Sequence, residues 1–181
     1  MAQAATATWN LDPAHSVVEF KVKHMMISNV KGQFAKVTGV LTLDESNLTK
    51  SSVQASIDVD SIGTNDAQRD GHLKSADFFD VEKFPAMTFK STSVKVASRA
   101  EGTVEGDLTI KGITQKVVFS VEGPTAPAKD PWGNLRVAVS ATTKISRKEF
   151  GLVWNAALET GGMLVGDEVT ITLDVQFVKA A

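Results

Sequence analysis

Few residues in this chain are equipped for chemistry. Cysteine and tyrosine are absent, and the histidines are three: His15, His24 and His72. Without cysteine there are no disulfides, no thiolate nucleophile and no thiolate-held metal. The histidines stand nine and then 48 residues apart, which matches no local metal signature. Asp12, Asp70 and Asp77 add oxygen donors without a pattern, so no metal site is expected. No Gly-x-Ser-x-Gly nucleophile motif occurs. Gly161-Gly162 and Gly166 lack the following helical pattern that a phosphate-cradling loop needs.

What remains is polar and sparse. His24 ends an alternating segment, Val18-Glu19-Phe20-Lys21-Val22-Lys23-His24, on its apolar face. It is either a satisfied strand-end residue or a hydrogen-bond donor to a ligand head group. Arg69, Asp70 and His72 sit in the polar, aromatic-rich segment Arg69-Asp70-Gly71-His72-Leu73-Lys74-Ser75-Ala76-Asp77-Phe78-Phe79-Asp80. The Arg69 fork suits an oxyanion or hydroxyl head. The preferred reading is structural: Arg69 and Asp70 pin a short helix. A catalytic alternative sets His24 or His72 with Asp70 against a hydrophobic substrate.

The elements that hold these residues are strands. Val53, Ala55, Ile57 and Val59 alternate with polar residues, as do Val104, Gly106, Leu108 and Ile110. The same holds for Val117, Phe119 and Val121, for Leu135 through Ile145, and for Val169 through Phe177. Period two marks one buried and one wet face, the antiparallel pattern. Strands are predicted near 8–12, 16–24, 33–44, 52–60, 86–91, 93–99, 102–111, 115–123, 135–146 and 168–178, some of them halves of one bent strand. Lys111-Gly112, Pro131-Trp132-Gly133-Asn134 and Gly166-Asp167 supply turn residues. One short helix is expected near 65–76, capped by Thr64 or Asn65, and a second turn near 147–151 or 156–160. Pro124, Pro127 and Pro131 make 124–132 a loop inside one domain.

So many amphipathic strands hide their apolar faces either in a sandwich or in a closed barrel. The two long strands favour a barrel, since about 11 residues span ~35 Å. The 181 residues suffice for one domain with a substantial core. Lys and Arg number 19 against 21 Asp and Glu, without a basic block, so nucleic acid is not an expected partner. No stretch approaches the ~20 apolar residues of a membrane-spanning helix. The first residues have neither a basic nor an apolar leader region. A cytoplasmic location is the expectation, or a periplasmic one if a leader was removed.

Three sets of residues carry a family resemblance. Asp12-Pro13-Ala14-His15-Ser16, Phe20-x-Val22-x-His24-Met25 and Val30-x-Gly32-x-Phe34 resemble the opening of the YceI-like family. Thr64, Arg69-Asp70, His72-Leu73, Ser75, Asp77-Phe78-Phe79-Asp80 and Phe84-Pro85 resemble its middle motif. Gly106-x-Leu108-Thr109-Ile110-x-Gly112-x-Thr114 and Arg147-x-x-Phe150-Gly151 resemble the later ones. The likeness runs in order over about 8–178. It implies an all-β fold, an antiparallel eight-stranded lipocalin-like barrel with one or two short helices, spanning 8–179 behind a flexible segment 1–7. It also implies a lumen that holds a polyisoprenoid, quinone-like or similar long amphiphilic lipid, for transport, storage or stress protection. No reaction and no further cofactor are implied. A homodimer stays open, because no sequence feature reports on it.

A long tail needs few polar contacts to bind. Each five-carbon unit buried gains about 3–4 kcal/mol gross, and eight such units about 25–30 kcal/mol, before ordering and association losses. The inward faces predict a lining of Phe20, Val22, Ile57, Phe89, Leu108, Ile110, Phe119, Val137, Val139, Ile171 and Leu173, and the aromatic residues Phe34, Phe79, Phe150 and Trp154 are further candidates for it. His24, Arg69, Asp70 and His72 are the candidates for a head group or for the polar end of the barrel. The competing reading is a lumen packed solid, in a module that works through its surface.

Overall fold

Alternation commits each strand to one buried face, and the chain satisfies all of them by curling a single sheet onto itself. The computed structural model describes residues 6–181. In order the strands are β1 (Thr6–Leu11), β2 (Val17–His24), β3 (Ser28–Phe34), β4 (Val37–Asp44), β5 (Ser52–Asp58), β6 (Ile62–Gly63), β7 (Ala86–Val96), β8 (Glu101–Ile110), β9 (Ile113–Glu122), β10 (Ala128–Lys129), β11 (Leu135–Ser146) and β12 (Val165–Lys179). One α-helix, α1 (Ala67–Lys74), lies between β6 and β7.

Eight of these strands close a ring in the order β11-β9-β8-β7-β5-β4-β1-β12, with β12 pairing back onto β11. Closure leaves the ring without a free edge. The β11–β12 ladder is the longest seam, running from Arg136↔Val178 to Ser146↔Glu168. On its other side β12 pairs with β1 through Phe177 and with β2 from Val165 to Asp174. Thus β1 and β2 are two lengths of one staggered wall strand, broken at Asp12–Ser16. Likewise β3 pairs with β2 and β4 with β1, so they form the next bent strand.

Several expectations are corrected here. The stretch 33–44 is not one strand: it breaks between Phe34 and Val37, and β3 begins earlier, at Ser28. Residues 86–91 and 93–99 are, as expected of some of the strands, halves of one bent strand, β7, with a bulge between Ser91 and Ser93, though it ends at Val96. The helix is capped by Asp66, whose carboxylate accepts the Arg69 N–H, rather than by Thr64 or Asn65. Asn65 instead takes a positive φ of 62°. The second helical turn is Arg147–Phe150, and 156–160 is not helical. Gly166 belongs to β12 and makes no positive-φ turn, whereas Lys111 and Gly112 do at 51° and 75°. Of the segment expected to be flexible, Thr6 and Ala7 belong to β1, and residues 1–5 lie outside the described residues.

Two apolar clusters fill the barrel from opposite ends. One gathers Phe34, Val59, Ile62, Phe78, Leu108, Phe119 and Phe150 beneath α1. The other gathers Trp9, Leu41, Leu43, Val137, Val175 and Phe177 at the far end.

Candidate functional site

Between those clusters the barrel is hollow. A cavity of about 430 Å³ runs from α1 and residues 78–79 at one end to the β7–β8 tip and Pro124 at the other. Its walls are the inward faces of the strands. Every predicted lining residue borders it except Val137 and Phe150. Those two are 1% exposed, sealed in the end clusters. Val137 stands on the alternating face of β11, whose period carried no information on how far the void extends, and Phe150 lies in the turn Arg147–Phe150, outside any strand. Leu11, Leu41, Leu43 and Met87 also border it. They sit on the same alternating faces, so the sequence held the signal for them.

Aromatic rings shape the lumen. Phe20 and Phe34 pack at 5.7 Å between centroids, Phe34 and Phe79 edge-on at 6.1 Å, and Phe89 and Phe119 edge-on at 5.3 Å. Two of these rings lie over glycines of the neighbouring strand. A Cβ at Gly32 would stand 2.3 Å from Phe20 Cζ, and one at Gly106 would stand 2.5 Å from Phe89 Cζ. The glycines let the rings lie flat on the wall instead of projecting into the void.

The polar candidates gather at the α1 end, though in different roles. Arg69 donates from Nε to Thr64 Oγ1 (2.8 Å) and from Nη2 to the Thr64 carbonyl (2.7 Å). The Asp70 carboxylate accepts from the Thr64 N–H and hydroxyl. Neither pairs with the other: both converge on buried Thr64 and tie α1 to β6. This is the pinning expected of them, by a third residue. Arg69 still borders the cavity, while Asp70 does not. His72 borders it too, with Nε2 2.9 Å from Asp77 Oδ2 and its ring edge-on to Trp154 and Phe78. His24 reaches the same end from β2. The trio His24, His72 and Asp70 is therefore not assembled, since Asp70 is spent on Thr64.

Sequence reasoning placed Arg147 in a motif and missed its position. It is 4% exposed and donates to the carbonyls of Gly166 (2.7 Å), Leu152 (2.6 Å), Trp154 (3.0 Å) and Val165 (3.2 Å). Burial lowers its pKa, an effect the nearby Asp167 charge opposes. A guanidinium has enough rigid donors to bind four carbonyls at once. It thereby folds residues 152–166 against the end of the barrel. No group of three or more His, Asp or Glu positioned to hold a metal occurs among the described residues.

A closed antiparallel barrel around an apolar cavity, with a polar lid at one end, defines a lipocalin-like β-barrel. Residues 9–177 match the YceI-like domain, and the chain belongs to that family. A UPF0312 protein of Staphylococcus aureus (strain N315) is 39% identical over 170 residues, covering 93% of this chain and 96% of that protein. The crystal structure of Burkholderia cenocepacia BcnA superposes with a TM-score of 0.78 at 26% identity, over 92% of this chain and 98% of that one. A polyisoprenoid binding domain from Saccharophagus degradans, implicated in plant cell wall breakdown, shares the fold, with a TM-score of 0.69 at 14% identity. That likeness spans 97% of this chain and all of that one, 100%.

Proposed function

We propose that this protein binds and carries or stores a long-chain amphiphile, of the isoprenoid or quinone-like kind, in the barrel lumen, and that it is a binding protein rather than a catalyst. One observation carries the reading: a cavity of about 430 Å³ walled by Val, Leu, Ile and Phe runs the length of the fold. A void on that scale forfeits contacts that a packed core would make, so an occupant is its simplest physical justification. The Saccharophagus degradans domain that shares this fold is a polyisoprenoid binding domain, which agrees with a tail-shaped occupant. The polar groups at the α1 end suit a small head group. His24, Arg69 and His72 border the lumen there, beside the Arg147 that holds the neighbouring loop.

An apolar wall discriminates poorly between tails, since one methylene changes binding by about 0.8 kcal/mol. The test is a titration of lipid-stripped protein with an apolar fluorescent probe, displaced by polyprenyl alcohols of graded length. Displacement that strengthens with length and then levels off supports the reading. Failure of both probe and alcohols to bind overturns it and favours a module acting through its surface. For the catalytic alternative, His24→Ala and His72→Ala would abolish a turnover found by substrate screening. None is expected.

A further inference from the structure

The hairpin joining β2 to β3 is built against the usual rules. Met25 and Met26 occupy its two central positions with φ of 51° and 61°, closed by the Ile27 N–H donating to the His24 carbonyl (3.2 Å). Both positions call for Asn or Gly, and unbranched apolar residues resist that conformation. The side chains are not hidden in return: Met25, Met26 and Ile27 are 44%, 62% and 79% exposed. Met163 is exposed beside them, next to Leu164, whose carbonyl accepts the Met25 N–H. A strained turn that displays three apolar side chains to water is expensive twice over.

Behind the tip the outer face of the hairpin is basic. Lys21 stands directly opposite Lys31 across the ladder, and Lys23 follows two pairs nearer the tip. Like charges in direct register weaken a sheet. None of these three lysines lies within 4 Å of a carboxylate among the described residues. Glu19 on β2 and Glu168, diagonal to Lys21 across the β2–β12 pairing, are the acids beside them on that face, and Glu168 lies 3.6 Å from Lys144. The opposite face of the same strands, through Phe20, Val22, Val30 and His24, borders the lumen, which Glu19 and Lys23 also touch at its margin.

We infer that the β2–β3 hairpin docks the α1 end of the barrel onto an anionic lipid bilayer, with Met25, Met26 and Ile27 inserted and Lys21, Lys23 and Lys31 against the head groups. An apolar tip backed by cations is what the interface of such a bilayer accepts. The proposal rests on the lumen reading for its purpose, because it sets the end of the cavity bordered by His24 against a source of lipid. It adds the partner from which cargo is drawn.

The experiment is co-sedimentation of the full chain with vesicles of phosphatidylcholine alone or with 30% phosphatidylglycerol. The wild type is expected to pellet with the anionic vesicles at low salt and to be released by salt. Lys21→Gln with Lys31→Gln should weaken that binding about 25-fold, roughly fivefold per lysine. Met25→Asn with Met26→Gly and Ile27→Ser should abolish it while holding or raising the melting temperature, because the turn is relieved. Wild type that stays in the supernatant overturns the proposal. So does a turn variant that pellets undiminished, and so does one whose only change is loss of a dimer, which would make a second copy the occupant. Native mass measurement on the same preparations reads the lumen separately. Cargo without vesicle binding sinks docking alone, and vesicle binding by protein that neither carries cargo nor takes up an apolar probe sinks the lumen reading alone.

Discussion

Removing the cargo and filling its space should move stability in opposite directions. A buried cavity destabilises by about 24 cal/mol per Å³, so the roughly 430 Å³ lumen represents up to about 10 kcal/mol if left empty and dry. That is comparable with the whole stability of an ordinary domain, about 5–15 kcal/mol. Water entry and collapse relieve part of it, leaving a few kcal/mol between stripped and loaded protein. For a chain of this size each kcal/mol moves the melting temperature by about 2–4 °C. Stripped protein should therefore melt roughly 10 °C below loaded protein. The second arm is Ala141→Leu. Ala141 borders the cavity from the middle of β11, opposite Leu173. Three added carbons facing the void should raise the stability of stripped protein by about 2 kcal/mol. The same carbons occupy cargo space, so the gain on loading should shrink. Calorimetry of both proteins, stripped and reloaded, measures all four states. If stripped and loaded wild type melt together, or Ala141→Leu destabilises the stripped form as overpacking would, the lumen is not a standing void and the reasoning fails.

Three further outcomes are expected. Arg136 sits between Asp12 (2.7 Å) and Asp130 (2.8 Å), and both carboxyl groups have pKa values lowered to about 2, chiefly by that guanidinium. Their stabilising contribution is complete above the unfolded value near 4 and lost as pH falls through about 2. Melting temperature against pH from 5 to 2 should therefore fall more steeply for wild type than for Arg136→Gln, and parallel curves would refute the linkage. Arg147→Lys leaves three donors for four carbonyls, so it should cost at least about 2 kcal/mol and speed hydrogen exchange across 152–166. Unchanged exchange there would refute the bracing role. Gly32→Ala should lift the Phe20 ring off the wall and reduce probe uptake while the barrel stays folded, and undiminished uptake would contradict the ring's placement.

The sequence made the walls legible and left the ends obscure. Alternation needs only two residues per period, so β11 was delimited at Leu135–Ser146 and its inward face named correctly. Where alternation fails, the reading failed. The break at Ala35–Lys36 did leave a mark, a change of phase from Val30 and Phe34 to Val37, Leu41 and Leu43, which was overlooked, and the start of β3 was lost because Ser28 and Asn29 give it no apolar signal. Asp66 was passed over as a cap for its neighbours Thr64 and Asn65, since all three residue types cap well and only backbone geometry separates them. Val137 and Phe150 show the limit for the site itself. A face is a local property, but a void is set by what meets across the barrel. Arg147 makes the same point in reverse: an arginine beside Lys148 and Glu149 reads as surface, and only the fold of 152–166 buries it.

The central claim is that the barrel holds a hydrocarbon tail, and native mass spectrometry of freshly purified, never-extracted protein tests it most directly. A population heavier than the bare chain is expected, whose excess is released by organic extraction as one or a few long-chain amphiphiles. A mass equal to the bare chain, with no uptake of an apolar probe afterwards, would contradict it.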